Sequence, residues 1–226
     1  MATWMTHLRI AENLLEDFDL PVETFLVGNI APDSGVPNED WSVFTPSKDI
    51  SHWKCDKDLN RSMKMKINPD AFWTSHLEGE KFEILTEEQS FLLGYYCHLL
   101  TDFMWSELIR ENRRKNEVLD KELKNNPKFT WEVKKDWYGL DFEYLKKNSS
   151  NIMTDTFKNI NASDDYLDYF PKGAFTYRIE EIKKYYLTDE ARPKRPGLYL
   201  SEDELNDFIR LTSESLKERL SFLQKK

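Results

Sequence analysis

Between Thr86 and Trp105 the chain runs almost wholly apolar behind a short polar start, and no other stretch restricts the fold as much. An apolar run of helical length is buried on most sides wherever it lies. Thr86, followed three residues later by Gln89, reads as a capping box that sets the helix start, and the pattern predicts one helix over about 86–106. His98 and Asp102 interrupt the run four residues apart. At about 100° per residue they leave the helix about 40° apart, one turn above the other. An imidazole nitrogen and a carboxylate so placed reach a single cation; they equally make a hydrogen-bonded core pair. Cys97 lies about 100° round from His98 and faces elsewhere. Gly94, one turn before His98, leaves that face bare and admits another segment. A buried carboxylate is costly alone, so Asp102 needs a metal, a cation or strong donors.

Upstream, Trp4, His7, Ala11 and Leu14 recur at helical spacing, which turns His7 to the inner face of a first helix. Pro21 suits the first turn of a second helix running to about Ile30, and Pro32 ends it by pushing Ala31 out of the helical region. Asp33 then falls just past that end, as a turn residue or a functional one. From Ser34 to about Ile50 the punctuation by Gly35, Pro37, Asn38 and Pro46 reads as a loop, closed by Ser51-His52-Trp53. Asn68 and Pro69 open another helix, which carries a partly exposed His76.

Downstream of the central helix, residues 107–124 are rich in charge and read as solvated faces. Further helices are expected at about 129–147, 150–160, 163–170 and 175–191, with Asn161 to Asp165 as a cap whose acids favour the helix dipole. A calcium loop there lacks the required glycine and terminal glutamate. Pro193, Pro196 and Gly197 make a break, and Ser201 with Glu204 forms a second capping box. It launches a last helix striped by Leu205, Phe208, Ile209, Leu216, Leu220 and Leu223. Strand-like alternation does not persist. The expectation is an all-α fold, one domain over 1–226 around the 86–106 helix.

Composition narrows the function classes. Lys plus Arg number 32 against 41 Asp plus Glu, a net −9, which argues against general nucleic-acid binding. Nothing approaches the roughly 20 apolar residues of a membrane span, and the start shows no signal-peptide pattern. Two cysteines, Cys55 and Cys97, are too few for a disulfide framework, so reduced thiols and a cytoplasmic location are expected. Oligomeric state is not readable.

Asp33, His52, His98 and Asp102 together make a mixed imidazole and carboxylate donor set, which suits zinc better than magnesium or calcium. No phosphate loop, His-Glu-x-x-His helix or nucleophile elbow is present. A metal-dependent hydrolase needs none of them, because a metal-activated water replaces the side-chain nucleophile. Trp53, Tyr95 and Trp105 are candidates for pocket walls or for core packing.

Four pieces in order resemble the bacterial zinc-dependent phospholipase C family, which is related to single-strand-specific zinc nucleases. They are Trp4-Met5-Thr6-His7-Leu8-Arg9-Ile10-Ala11, Phe25-Leu26-Val27-Gly28-Asn29-Ile30-Ala31-Pro32-Asp33, Ser51-His52-Trp53, and Leu93-Gly94-Tyr95-Tyr96-Cys97-His98-Leu99-Leu100-Thr101-Asp102. The resemblance covers about the first half of the chain. It implies a helical fold that cleaves phosphate esters, with Asp33, His52, His98 and Asp102 on one zinc and Asp102 bridging towards a second near His7. Asp33 is then a ligand or a base that orients water. Secreted members of the family use the amino group of an N-terminal Trp, whereas Met1-Ala2-Thr3 precedes Trp4 here, and no histidine follows His98. One or two zinc ions are therefore expected, on a phosphodiesterase-like enzyme for a small-molecule or lipid phosphoester. The alternatives are a non-catalytic helical protein with a structural or ligand-binding metal, and an interaction module whose His and Asp are core pairs.

Overall fold

The structure is a computed structural model that describes residues 1–55, 66–188, 195 and 197–223. The first half comprises α1 (Trp4–Asp17), α2 (Val22–Ile30), a 3-10 turn (Ala31–Asp33), β1 (Val36–Pro37), β2 (Phe44–Thr45), α3 (Lys48–Ser51), β3 (Lys54–Cys55), β4 (Lys66–Ile67) and α4 (Pro69–His76). There follow α5 (Glu87–Lys115), α6 (Glu117–Asn125), α7 (Phe129–Lys147), α8 (Ile152–Asp155), a 3-10 turn (Phe157–Asn159), α9 (Ala174–Leu187) and α10 (Glu202–Arg219). The strands pair only as two antiparallel two-residue ladders, β1 with β2 and β3 with β4. The fold is all-α.

Helix α5 starts where its capping box puts it. Thr86 Oγ1 accepts from the Gln89 N–H at 3.1 Å, and Gln89 Oε1 accepts from the Thr86 N–H at 3.2 Å. Such a cap is worth about 1 kcal/mol. The helix runs to Lys115, past the expected end near 106, because nothing between breaks it. Glu107 pairs with Arg110 at 2.6 Å, and Arg113, Arg114 and Lys115 occupy the last turn, where cations suit the dipole. Asn116 ends it by turning extended and capping α6, its side chain accepting from the Leu119 N–H at 3.0 Å.

Among the described residues, the most extensive contact between two elements is α2 along α5. Gly28 and Gly94 face each other across this seam, and a Cβ on either would collide with the other helix's backbone. Helix α1 packs on α2 and α10 and reaches α5 through His7, whose ring stacks on His98 at 3.8 Å. The α10 capping box is present, and every residue of its expected apolar stripe is buried. Among the described residues, no helix is long and apolar enough to cross a membrane.

Several boundaries differ from the sequence reading. Ala31 keeps helical dihedrals (φ −59°, ψ −40°) before Pro32, because the chain tightens into a 3-10 turn that Pro32 fits. The segment read as a loop over 34–50 carries β1, β2 and the start of α3. The helix expected at 150–160 is reduced to α8 and a 3-10 turn. No helix forms at 163–170, and Asn161 to Asp165 cap nothing. Instead Ser163 N–H donates to Thr176 Oγ1 at 3.1 Å, Asp165 Oδ1 accepts from Gly173 N–H at 2.9 Å, and Tyr166 packs on Phe91. Those tertiary contacts outweigh local propensity. Helix α9 ends at Leu187. Residues 189–191 of the expected helix, with Pro193 and Pro196 of the break, lie outside the described residues; Gly197 adopts φ 70°.

Candidate metal centre

The α2–α5 seam builds one side of a buried polar cluster. Gly94 lets the α2 backbone close on α5, and one turn later His98 Nδ1 donates to the Asn29 carbonyl at 2.7 Å. A carbonyl only accepts, so the proton is on Nδ1 and the Nε2 lone pair faces inward. Asp102, one turn further, projects from the same face. The 3-10 turn after α2 delivers Asp33, the end of α3 delivers His52, and α1 delivers His7.

All five residues converge. Asp102 Oδ2 lies 3.6 Å from His98 Nε2 and 3.5 Å from His52 Nε2, and Asp102 Oδ1 lies 3.4 Å from His7 Nε2. Asp33 Oδ1 lies 3.6 Å from His52 Nε2. These spacings are too long for hydrogen bonds. They match two ligands that share one tetrahedral ion at about 2.0–2.2 Å each, whose edge is about 3.3–3.6 Å. His7 Nδ1 and Nε2, His52 Nε2, His98 Nε2, Asp33 Oδ1 and Asp102 Oδ2 are all buried without a hydrogen-bond partner. So many unpartnered nitrogen and oxygen atoms in one place, most of them acceptors, call for a shared cation. Among the described residues, two overlapping groups have donor spacing that could hold a metal: His7, His98 and Asp102, and Asp33, His52 and His98. The donor set is nitrogen and oxygen, which fits zinc.

The charge states of His7, His52, Asp33 and Asp102 suit a ligating role, whereas His98 is held towards its protonated form, so a metal on its Nε2 displaces a proton. Burial, with His98 alongside, pulls His7 down to about 4, and burial also lowers His52 against the pull of Asp102 and Asp33. Both are neutral near pH 7. Burial also acts to lower His98, but Asp102, Asp33 and the Asn29 carbonyl outweigh it and raise its pKa. Burial works against ionised Asp102, yet the N-terminal ammonium and His52, His7 and His98 hold its carboxyl well below the usual range. Against burial, Lys48, His98 and His52 likewise hold Asp33 below its ordinary value.

A ring of supports surrounds the cluster. The Trp4 indole N–H donates to Asp33 Oδ2 at 3.0 Å, and the Ala2 N–H donates to Asp102 Oδ1 at 2.7 Å. Ser51 Oγ pairs with His52 Nδ1 at 3.0 Å, and Tyr95 O–H donates to the Ser51 carbonyl. The sequence reading named none of these roles. Trp4 and Ser51 did lie within the motif pieces, but only the folded chain shows what their polar atoms touch. His76 stands apart, half-buried against Phe72 and Trp53.

A cavity of 180 Å³ reaches the cluster at Asp33 and Ser51. Trp53, Tyr95 and Trp105 do not line it. They pack instead: Trp53 and Tyr95 against Phe72, and Trp105 against Trp137 and Phe208.

The model of the zinc dependent phospholipase C family matches residues 6–218, and the chain belongs to that family. The match extends well beyond the half in which the sequence reading found motifs. No curated protein and no solved structure matches the chain.

Proposed function

Taking this membership as premise, we propose that the chain is a phospholipase C-like, metal-dependent phosphoester hydrolase. Asp33 Oδ1, His52 Nε2, His98 Nε2 and Asp102 Oδ2 would hold one zinc ion. His7, with the other oxygen of Asp102, would hold a second. The carrying observation is the set of buried, unpartnered nitrogen and oxygen atoms that meet at ligand spacing. Zinc there would polarise a phosphoryl oxygen and bring the pKa of water towards about 7.

The protein's own residues do the positioning. The Asn29 carbonyl fixes the tautomer and direction of His98; Ser51 Oγ holds the direction of the His52 ring and, by accepting from its Nδ1–H, would leave Nε2 free to ligate. Trp4 occupies Asp33 Oδ2 and so presents Oδ1 to the cluster. Asp33 is the one member of the five that lines the cavity, so it is the group that meets substrate or attacking water. Its lowered pKa keeps it anionic at neutral pH, which suits a ligand that orients water more than a strong proton acceptor.

The test is turnover of a generic phosphodiester and phosphomonoester by zinc-loaded protein, with loss on chelation and recovery on adding zinc. Asp33→Asn should lower metal content and turnover together. Metal content that survives while turnover falls would assign Asp33 as base instead. One observation favours the non-catalytic alternative: His7, His52 and His98 are each 0% exposed, and closed four-ligand shells are typical of structural zinc. A filled site with no turnover on phospholipid, nucleotide and model phosphoesters would establish that reading.

A further inference from the structure

The cavity beside Asp33 carries charge of the opposite sign to the protein as a whole. Lys48, Lys134 and Arg178 line it against the single carboxylate of Asp33, in a chain of net charge −9. Arg178, on α9, is 6% exposed. Its Nη2 donates to the Gly35 carbonyl at 3.1 Å, its Nε has no partner, and among the described residues no carboxylate lies within ion-pair distance of it. Lys134, on α7, is half-buried and likewise has no carboxylate partner among the described residues. Burial, with Lys48 close by, lowers its pKa. Lys48 reaches Asp33 Oδ1 only at 3.9 Å.

A buried guanidinium is costly unless an anion balances it. Among the described residues only Asp33 brings a carboxylate to this cavity, and it is not within ion-pair distance of Arg178, so an anionic ligand would balance the excess positive charge. The planar fork of Arg suits phosphoryl oxygens, and Lys adds a mobile point charge. The cavity is small, at 180 Å³. That admits a phosphoryl group with a short polar substituent. Aromatic rings also line the wall, and such rings can cage a quaternary ammonium. Here, however, the Arg178 guanidinium already sits 5.4 Å from the centre of the Trp4 ring, and two lysines share the cavity. An incoming cation would be repelled.

We propose that Arg178, Lys134 and Lys48 form a receptor for the phosphoryl anion of a small, anionic phosphoester, and that they select against quaternary-ammonium headgroups. The inference rests on the hydrolase reading for the position of the reacting bond, but the binding it describes is measurable without turnover.

Calorimetry on zinc-loaded protein with inorganic phosphate, glycerol phosphate and choline phosphate tests it. Glycerol phosphate should bind at least about tenfold more tightly than choline phosphate. Lys134→Gln, at a half-exposed position that tolerates the change, should weaken phosphate binding about tenfold at unchanged zinc content; Arg178→Gln should do at least as much, with Arg178→Lys recovering part. Sedimentation with phosphatidylglycerol and phosphatidylcholine vesicles separates the sources of the anion. Binding of soluble glycerol phosphate, or of phosphatidylglycerol vesicles alone, each supports the receptor. Equal affinity for glycerol phosphate and choline phosphate, or phosphate binding indifferent to Lys134→Gln and Arg178→Gln with zinc retained, overturns it. Lysine-dependent phosphate binding without any turnover would overturn the hydrolase reading and leave this one standing.

Discussion

Gly94→Ala tests whether the close approach of α2 and α5 is what holds the metal cluster in shape. An added Cβ would lie 2.9 Å from Asn29 N and closer still to the Phe25 carbonyl oxygen, both backbone atoms that cannot rotate away. The shortfall from ordinary contact at 3.4 Å is 0.5 Å at Asn29 N and larger at the Phe25 oxygen, so the helices must separate by more than 0.5 Å along this seam. Overpacking of this kind typically costs about 1–3 kcal/mol. For a chain of this size, each kcal/mol lowers Tm by about 2–4 °C, so a drop of roughly 2–12 °C is expected. The displaced atoms include the Asn29 backbone, whose carbonyl orients His98 at 2.7 Å. Losing such a support to a metal-binding histidine costs about 10–100-fold in metal affinity. The assay pairs thermal melts of zinc-free protein with competitive zinc titration. Ser90→Ala is the control: it removes the bond from Ser90 Oγ to the Pro21 carbonyl, 2.8 Å, on the same seam but two turns from His98. It should lower stability by about 1 kcal/mol and leave zinc affinity in place. If Gly94→Ala matches wild type in both measurements, or if Ser90→Ala loses zinc as readily, the seam does not position the site.

Two further outcomes follow from the same geometry. His98→Ala and Asp102→Ala should each lower bound zinc measured by elemental analysis, while His76→Ala, outside the cluster, should not; wild-type stoichiometry in all three would remove the proposed site. Asp141 gives a pH signature. Burial raises its carboxyl from 3.8 to about 7, although it accepts from Tyr186 O–H at 2.7 Å and from Thr3 O–H at 2.9 Å. The folded chain therefore keeps this proton up to about pH 7 while the unfolded chain releases it near pH 4, so stability should fall as pH rises between those values. At about 1.4 kcal/mol per pH unit the loss has a ceiling of roughly 4 kcal/mol. Asp141→Asn should remove that slope, so that urea denaturation of zinc-free protein shows a gain over wild type at pH 8 that is absent at pH 4; a difference that does not vary with pH would refute the assignment.

How much of this was legible from the chain depends on the range of the interactions involved. The α5 start, the α10 capping box and the inward face of His7 rest on contacts within one or two turns, and a sequence states those directly. Gly94 was legible for a related reason, since a bare position on an apolar face implies a close neighbour. That α2 is the neighbour, through Gly28, is a pairing 66 residues away that no local pattern encodes. The absent helix at 163–170 shows the converse case, because its acids resemble a helix start until Thr176 and Gly173 take its polar groups. Lys134 and Arg178 are the sharpest example. In the sequence both sit among other charges on expected helices and nothing marks them out, and Lys135 beside one of them does pair in the ordinary way with Glu132 at 2.7 Å. What distinguishes Arg178 is burial beneath a wall assembled from α1, α7 and the segment after α2, where among the described residues no carboxylate comes within ion-pair distance of it. A chain shows where its charges are, but only its folded form shows which of them lack a partner.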